Sequence, residues 1–148
     1  MSTPASIKGH PIHPMLIAVP VGLWILALIC DVVYTLGLAG ELWSGAALVA
    51  IAVGVIGALL AAVPGLIDLV SLKDPRVKRI GLWHMAVNLA AVATFALNFW
   101  IRYQRGIDHQ PPLILTVIGV ALISVSGWLG GEMVYVHGVA VDRAGPRT

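Results

Sequence analysis

Five histidines, one cysteine and seven carboxylates are the reactive side chains of this 148-residue sequence. His10 and His13 lie in Gly9-His10-Pro11-Ile12-His13-Pro14-Met15, His84 follows Trp83, and His137 precedes Gly138, while His109 stands apart. Imidazole titrates near neutral pH and is a ligand for zinc, iron and copper. Imidazoles sent inward from different helices of a bundle are a common way to hold haem iron. His13 and His84 are the expected ligand pair, because they start separate helices at matching depth. His10 and His137 are auxiliaries. The same pair with Glu132 would make a metal set, and Asp68 and Asn88, four residues beyond His84, would support it. The cofactor classes this implies are haem b or a transition-metal ion. There is no C-x-x-C-H for covalent haem and no H-E-x-x-H zinc motif. A G-x-S-x-G elbow and a phosphate loop are also missing, so an enzyme with hydrolase or nucleotide chemistry is not expected.

Each of these groups also has a plainer reading. A His-Pro pair can simply close a loop at a helix start. His137 can complement the negative end of a helix. Glu132 can meet a lysine or arginine at the interface, and Asp68 needs a partner such as Arg76, Lys78 or a histidine. Asp31, deep in an apolar run, should reach Arg102 or Arg105 or snorkel to water. Ser124 and Ser126 should bond back to the preceding turn, and Cys30 should be a small buried hydrophobe. On this second reading the polar groups satisfy one another, and the chain is a cofactor-free accessory or assembly subunit of a larger membrane complex.

The elements that position these residues follow from composition. The chain is 59% hydrophobic and 11% charged, with a mean hydropathy of +0.93, whereas a soluble domain is roughly 25% charged. Its net charge of +2 is too small and too confined to loops for nucleic acid. Four runs reach the roughly 20 apolar residues a spanning helix needs, over about 15–38, 42–70, 80–101 and 113–136. Short connections make neighbours antiparallel. The expectation is an all-α, four-helix antiparallel transmembrane bundle, a single domain over residues 1–148 with no internal repeat visible. The first run is expected to be a retained helix, not a cleaved leader.

Seven of the nine lysines and arginines (Lys8, Lys73, Arg76, Lys78, Arg79, Arg143 and Arg147) fall on one side, and Arg102 and Arg105 on the other. The positive-inside rule then puts both termini in the cytoplasm of a multi-pass inner-membrane protein. Trp43 and Trp100 should mark the outer interface, and Trp83 and Trp128 the inner one. Small residues repeat every four positions at Ala50-Gly54-Ala58, Gly57-Ala61-Gly65 and Gly127-Gly131, a spacing that lets helices approach closely. These stripes suit packing within one bundle or in a homo-oligomer. Pro64 should kink or loosen the second helix before Asp68.

The opening Gly9-His10-Pro11-Ile12-His13-Pro14-Met15 with Pro20-Val21-Gly22-Leu23-Trp24 resembles the bacterial membrane family catalogued as domain of unknown function 2231. So do Trp83-His84 with Asn88 and Asn98, and Gly127-Trp128-Leu129-Gly130-Gly131-Glu132 with Tyr135 and His137-Gly138-Val139. The resemblance covers nearly the whole chain and implies a four-helix integral membrane domain. Relatives accompanied by Rieske or cytochrome modules make a redox complex the implied partner, by analogy alone.

Overall fold

Each apolar run becomes one helix in a computed structural model that describes residues 4–38 and 40–141. Helix α1 spans Ile12–Thr35, α2 Glu41–Ser71, α3 Pro75–Arg105 and α4 Leu113–Gly131, the last continuing into a π-helical turn at Glu132–Val136. All four are long and apolar enough to cross a bilayer. At 1.5 Å per residue the 31-residue α2 and α3 are about 46 Å long, well beyond a hydrocarbon core of about 30 Å. Their polar ends therefore project past it.

The boundaries differ from the expected ones where capping outweighs hydropathy. Helix α3 starts at Pro75, not near residue 80, because Asp74 accepts the Arg76 N–H at 2.8 Å and Pro75 occupies the first turn. Both are helix-starting signals, so the charged stretch at 76–79 is helical. Helix α1 stops at Thr35, where Gly37 adopts φ +68°, a conformation glycine enters without strain. Before α1, Ser6–Ile7 pairs antiparallel with His10–Pro11 across a turn at Lys8-Gly9. Helix α2 continues through Pro64. Arg143 and Arg147, counted above among the cations, lie outside the described residues.

Helix α1 packs chiefly on α2, and α3 on α4, with α2–α3 and α1–α4 contacts closing the bundle. Between these two hairpins lie three layers. His13 faces His84, Trp24 stacks on Phe95 with centroids 4.2 Å apart, and Asp31 pairs with Arg102. Every pair is 71 residues apart in sequence, so α1 and α3 run parallel and in register.

The hairpins repeat one another in detail. Trp24 lies on Gly54 of α2, and Phe95 on Gly119 of α4; a Cβ at either glycine would meet the ring at 2.4 and 2.5 Å. Likewise His13 lies on Gly65, and His84 on Gly130. This corrects the expectation that the chain holds no internal repeat. The repeat lies in a few contact positions, and the residues filling them differ (Trp for Phe, Asp for Arg), so letter identity hides it. Two parallel hairpin repeats of this kind are a recurrent membrane architecture.

The stacked rings are the centre of the apolar core, with Ala27, Cys30, Ala47, Ala50, Ile51, Ala91 and Ile123 packed around them. Trp43, Trp83, Trp100 and Trp128 are all exposed on the bundle's outside, while Trp24 is buried. The small-residue stripes of α2 do bring helices together. The expected Gly127–Gly131 stripe does not: a Cβ at Gly127 would touch nothing within 4 Å, and the close approaches on α4 are at Gly119 and Gly130.

Candidate functional site: a pair of imidazoles between the two hairpins

His13 lies on the second residue of α1, and its Nδ1–H donates to the carbonyl of Ala61 on α2 at 2.8 Å. His84 lies in the third turn of α3, and its Nδ1–H donates to the carbonyl of Ser126 on α4 at 2.9 Å. A carbonyl only accepts, so in a neutral His13 ring the proton is on Nδ1 and the lone pair on Nε2, and at His84 the carbonyl bond belongs to the same Nδ1–H tautomer. Both carbonyls belong to residues four positions before a glycine. A Cβ at Gly65 would approach His13 Nδ1 at 2.8 Å, and one at Gly130 would approach His84 Cε1 at 3.3 Å. Glycine therefore opens the helix wall on which each imidazole rests. The ring centroids are 6.1 Å apart with planes at 85°. Both rings are half-buried.

The second ring is more constrained than the first. Asn88 Nδ2 donates to His84 Nε2 at 3.0 Å and also to the His84 carbonyl at 3.0 Å. Ser126 Oγ lies 3.0 Å from His84 Nδ1.

A family model described as "Predicted membrane protein (DUF2231)" matches residues 9–143, a segment that holds all four helices and both imidazoles. The chain belongs to this family. No curated protein and no solved structure matches it.

In this DUF2231 protein the other expected site residues lie apart from the pair. Among the described residues no three His, Cys, Asp or Glu side chains gather as a metal-holding group, so the expected set of His13, His84 and Glu132 is not assembled. The physical reason is axial distance. His84 docks at Ser126, whereas Glu132 opens the π-helical turn six residues later, about 9 Å further along α4. His10 is exposed, with Nδ1 3.2 Å from the Lys8 carbonyl. His137 ends the π-helical turn, its backbone N–H bonded to the Glu132 carbonyl at 3.2 Å. Among the described residues Asp68 takes no cation. Its Oδ1 accepts the Ala5 N–H at 3.0 Å and so ties the N-terminal hairpin to the end of α2.

Two residues of the histidine layer were hidden from sequence reading. Ser124 does bond back to Val120 at 2.8 Å, but Ser126 turns to His84 instead. The available signal was its spacing from Gly130, which repeats the Ala61–Gly65 spacing on α2. The Gly57-Ala61-Gly65 stripe likewise does more than pack, since it presents the carbonyl that orients His13.

The opposite layer is of another kind. Asp31 Oδ2 receives Arg102 and the Thr116 hydroxyl, the latter at 2.6 Å. Arg102 Nε donates to Asn98 Oδ1 at 2.7 Å, and Asn98 Nδ2 donates to Thr116 Oγ1 at 2.8 Å. Asp31 is 0% and Arg102 4% exposed. Arg102, expected at the edge of an outer loop, is therefore inside the bundle, because only there does it meet the carboxylate of α1.

Proposed function

We propose that this protein is a small membrane redox protein that binds haem b, or another transition-metal centre, through Nε2 of His13 and His84. The observation that carries this reading is the common hydrogen-bond state of the two rings. Each commits Nδ1–H to a backbone carbonyl, the arrangement that orients most metal-ligating histidines and keeps the other nitrogen basic. Separation supports it too. The two ring centroids lie 6.1 Å apart, near enough for both imidazoles to serve one bound group. Haem suits a two-histidine site better than a bare ion does, because the porphyrin supplies the remaining ligands.

The test is the visible spectrum and metal content of protein purified in mild detergent from haem-replete cells. The reading expects low-spin haem bands that vanish in both His13→Ala and His84→Ala. A bare ion instead gives stoichiometric metal by elemental analysis without those bands. Colourless, metal-free protein overturns the proposal.

A second reading, a cofactor-free accessory subunit, is favoured by one observation. Asn88 already occupies His84 Nε2, so the imidazole layer can act as a closed network. It predicts stoichiometric partner proteins on purification and histidine substitutions that change stability alone.

The lysine and arginine distribution supports placing the histidine layer at the cytoplasmic side of a bacterial inner membrane. The burial of Arg102 strengthens that assignment, since it removes one of the two cations counted on the far side. Labelling of a cysteine placed in the α2–α3 turn from outside the cell would reverse it.

A further inference from the structure

The two hairpins repeat each other at the histidines, the glycines and the carbonyls, but not four residues further along. On α3 that position is Asn88, and on α1 it is Ile17. Among the described residues, only one of the two imidazoles therefore has an amide on its Nε2.

The amide's orientation is not free. Asn88 Nδ2 is bonded at once to His84 Nε2 and to the His84 carbonyl, each at 3.0 Å. A flipped amide would set Oδ1 against that carbonyl oxygen, two acceptors facing each other. The NH2 group is consequently held toward the ring, and a ring nitrogen that accepts must carry a lone pair.

His84 has a competing state close at hand. With the proton on Nε2, Nδ1 would become an acceptor, and Ser126 Oγ is 3.0 Å away to donate to it. Ser126 thus serves either tautomer, through its carbonyl or through its hydroxyl. The Ser126 side of the ring does not decide between them. The Asn88 side does.

We infer that Asn88 sets the tautomer of His84, keeping its proton on Nδ1, and guards the Nε2 lone pair until a ligand displaces the amide. Asn88 is a positioning residue, and the part of the inference that concerns a metal ligand rests on the redox reading above. Ligand binding at His84 then has a step that binding at His13 lacks, the release of one hydrogen bond.

Two substitutions of similar volume separate this from a packing role. Asn88→Asp replaces the donor by an acceptor, which favours a proton on Nε2. Asn88→Leu removes the donor and supplies no acceptor. An Nε2–H would then be an unsatisfied donor, so the proton stays on Nδ1 with the Nε2 lone pair uncovered. The experiment uses full-length protein in detergent micelles with 15N-labelled histidine, and His84→Gln assigns the signals. Imidazole nitrogen shifts report the tautomer, while titrations with haemin and with Co2+ report binding.

The expected result is Nδ1–H in the parent and in Asn88→Leu, and Nε2–H in Asn88→Asp. Binding should be about 2- to 10-fold tighter in Asn88→Leu, the worth of one hydrogen bond released, and at least about 10-fold weaker in Asn88→Asp, whose lone pair is lost. An unchanged tautomer in Asn88→Asp overturns the inference, as does weaker binding by both variants. Should Asn88→Asp fail to fold, Asn88→Leu decides, tighter binding supporting the inference and weaker binding overturning it. If the parent binds neither probe but the tautomer still changes, the redox reading fails and the role of Asn88 in setting the tautomer stands.

Discussion

The two polar layers of this bundle occupy matching positions on α1 and α3 yet are built on opposite principles. His13 and His84 are half-buried and anchor to backbone carbonyls of α2 and α4. Asp31 and Arg102 are buried and anchor to side chains: to each other, to Thr116 and to Asn98. In the first layer each ring keeps its Nε2 lone pair. In the second, opposite charges neutralise one another inside the bundle, where a buried charge without its partner would be costly. The layers are 18 residues apart on both helices, about 27 Å, close to the thickness of a hydrocarbon core. On the proposed reading the two ends do different work, ligand binding at one and helix register at the other.

The largest test of that contrast is to break one charge. Asp31→Ala leaves Arg102 buried without its carboxylate and removes the acceptor of Thr116, so we expect a loss of about 3–5 kcal/mol. His84→Gln, in the other layer, should cost only about 1 kcal/mol. Thermal unfolding in detergent would compare them, and equal losses would erase the distinction. Asp31→Leu combined with Arg102→Met should recover most of the stability, since Asp31 Oδ1 and Arg102 Nη1 are buried with no hydrogen-bond partner among the described residues and a packed apolar pair removes that cost.

The apolar spacer between the layers gives a smaller effect. Gly119→Ala would place a Cβ 2.5 Å from Phe95, which is stacked on Trp24 and has nowhere to move. Overpacking of this kind costs about 1–3 kcal/mol. Haem or metal binding, if it belongs to the histidine layer alone, should be unaffected per folded molecule.

Gly65→Ala sharpens the comparison from the other side. Its Cβ would approach His13 Nδ1 at 2.8 Å and push the ring from the Ala61 carbonyl. Loss of that hydrogen bond is worth about 0.5–1.5 kcal/mol. The informative readout is ligand binding, which should fall much more than stability does. A stability loss with unchanged haemin affinity would mean the carbonyl does not orient the ligand.

The smallest effect is expected from the exposed pair Asp108–His109, which resembles the buried pair only in charge. The Asp108 carboxyl lies below its usual value, first through its own backbone N–H and then through His109. A depressed carboxylate adds stability above its unfolded pKa and loses it as pH falls through the folded one. The contribution of Asp108 is therefore constant from pH 8 to 5 and fades only below about pH 4. His109→Ala should raise the Asp108 titration midpoint slightly, measured by NMR. A large shift would show that the histidine, and not the backbone, dominates.

How much of this was legible follows from which forces act locally. Helix number and approximate extent depend on runs of apolar side chains, and the sequence shows them directly. The start of α3 was misplaced because hydropathy ignores the Asp74-Pro75 cap, although that signal was present. The pairing of Asp31 with Arg102 was one of two expected options, and burial of both charges requires some such partner. His13 and His84 were singled out by depth and residue type.

Only the tertiary structure decided what these residues face. A backbone carbonyl has no sequence signature, so the roles of Ala61 and Ser126 as acceptors depended on which helix wall came within 3 Å. The repeat between hairpins was invisible for the same reason, being carried by glycine positions and contact geometry while side-chain identities diverged. Glu132, His10 and His137 share an end of the chain's bundle with the pair in sequence terms, but axial rise and the π-helical turn hold them elsewhere. Sequence determined that α1 and α3 each carry a histidine, an aromatic ring and a charge at the same intervals. Close packing across glycines determined that those intervals meet.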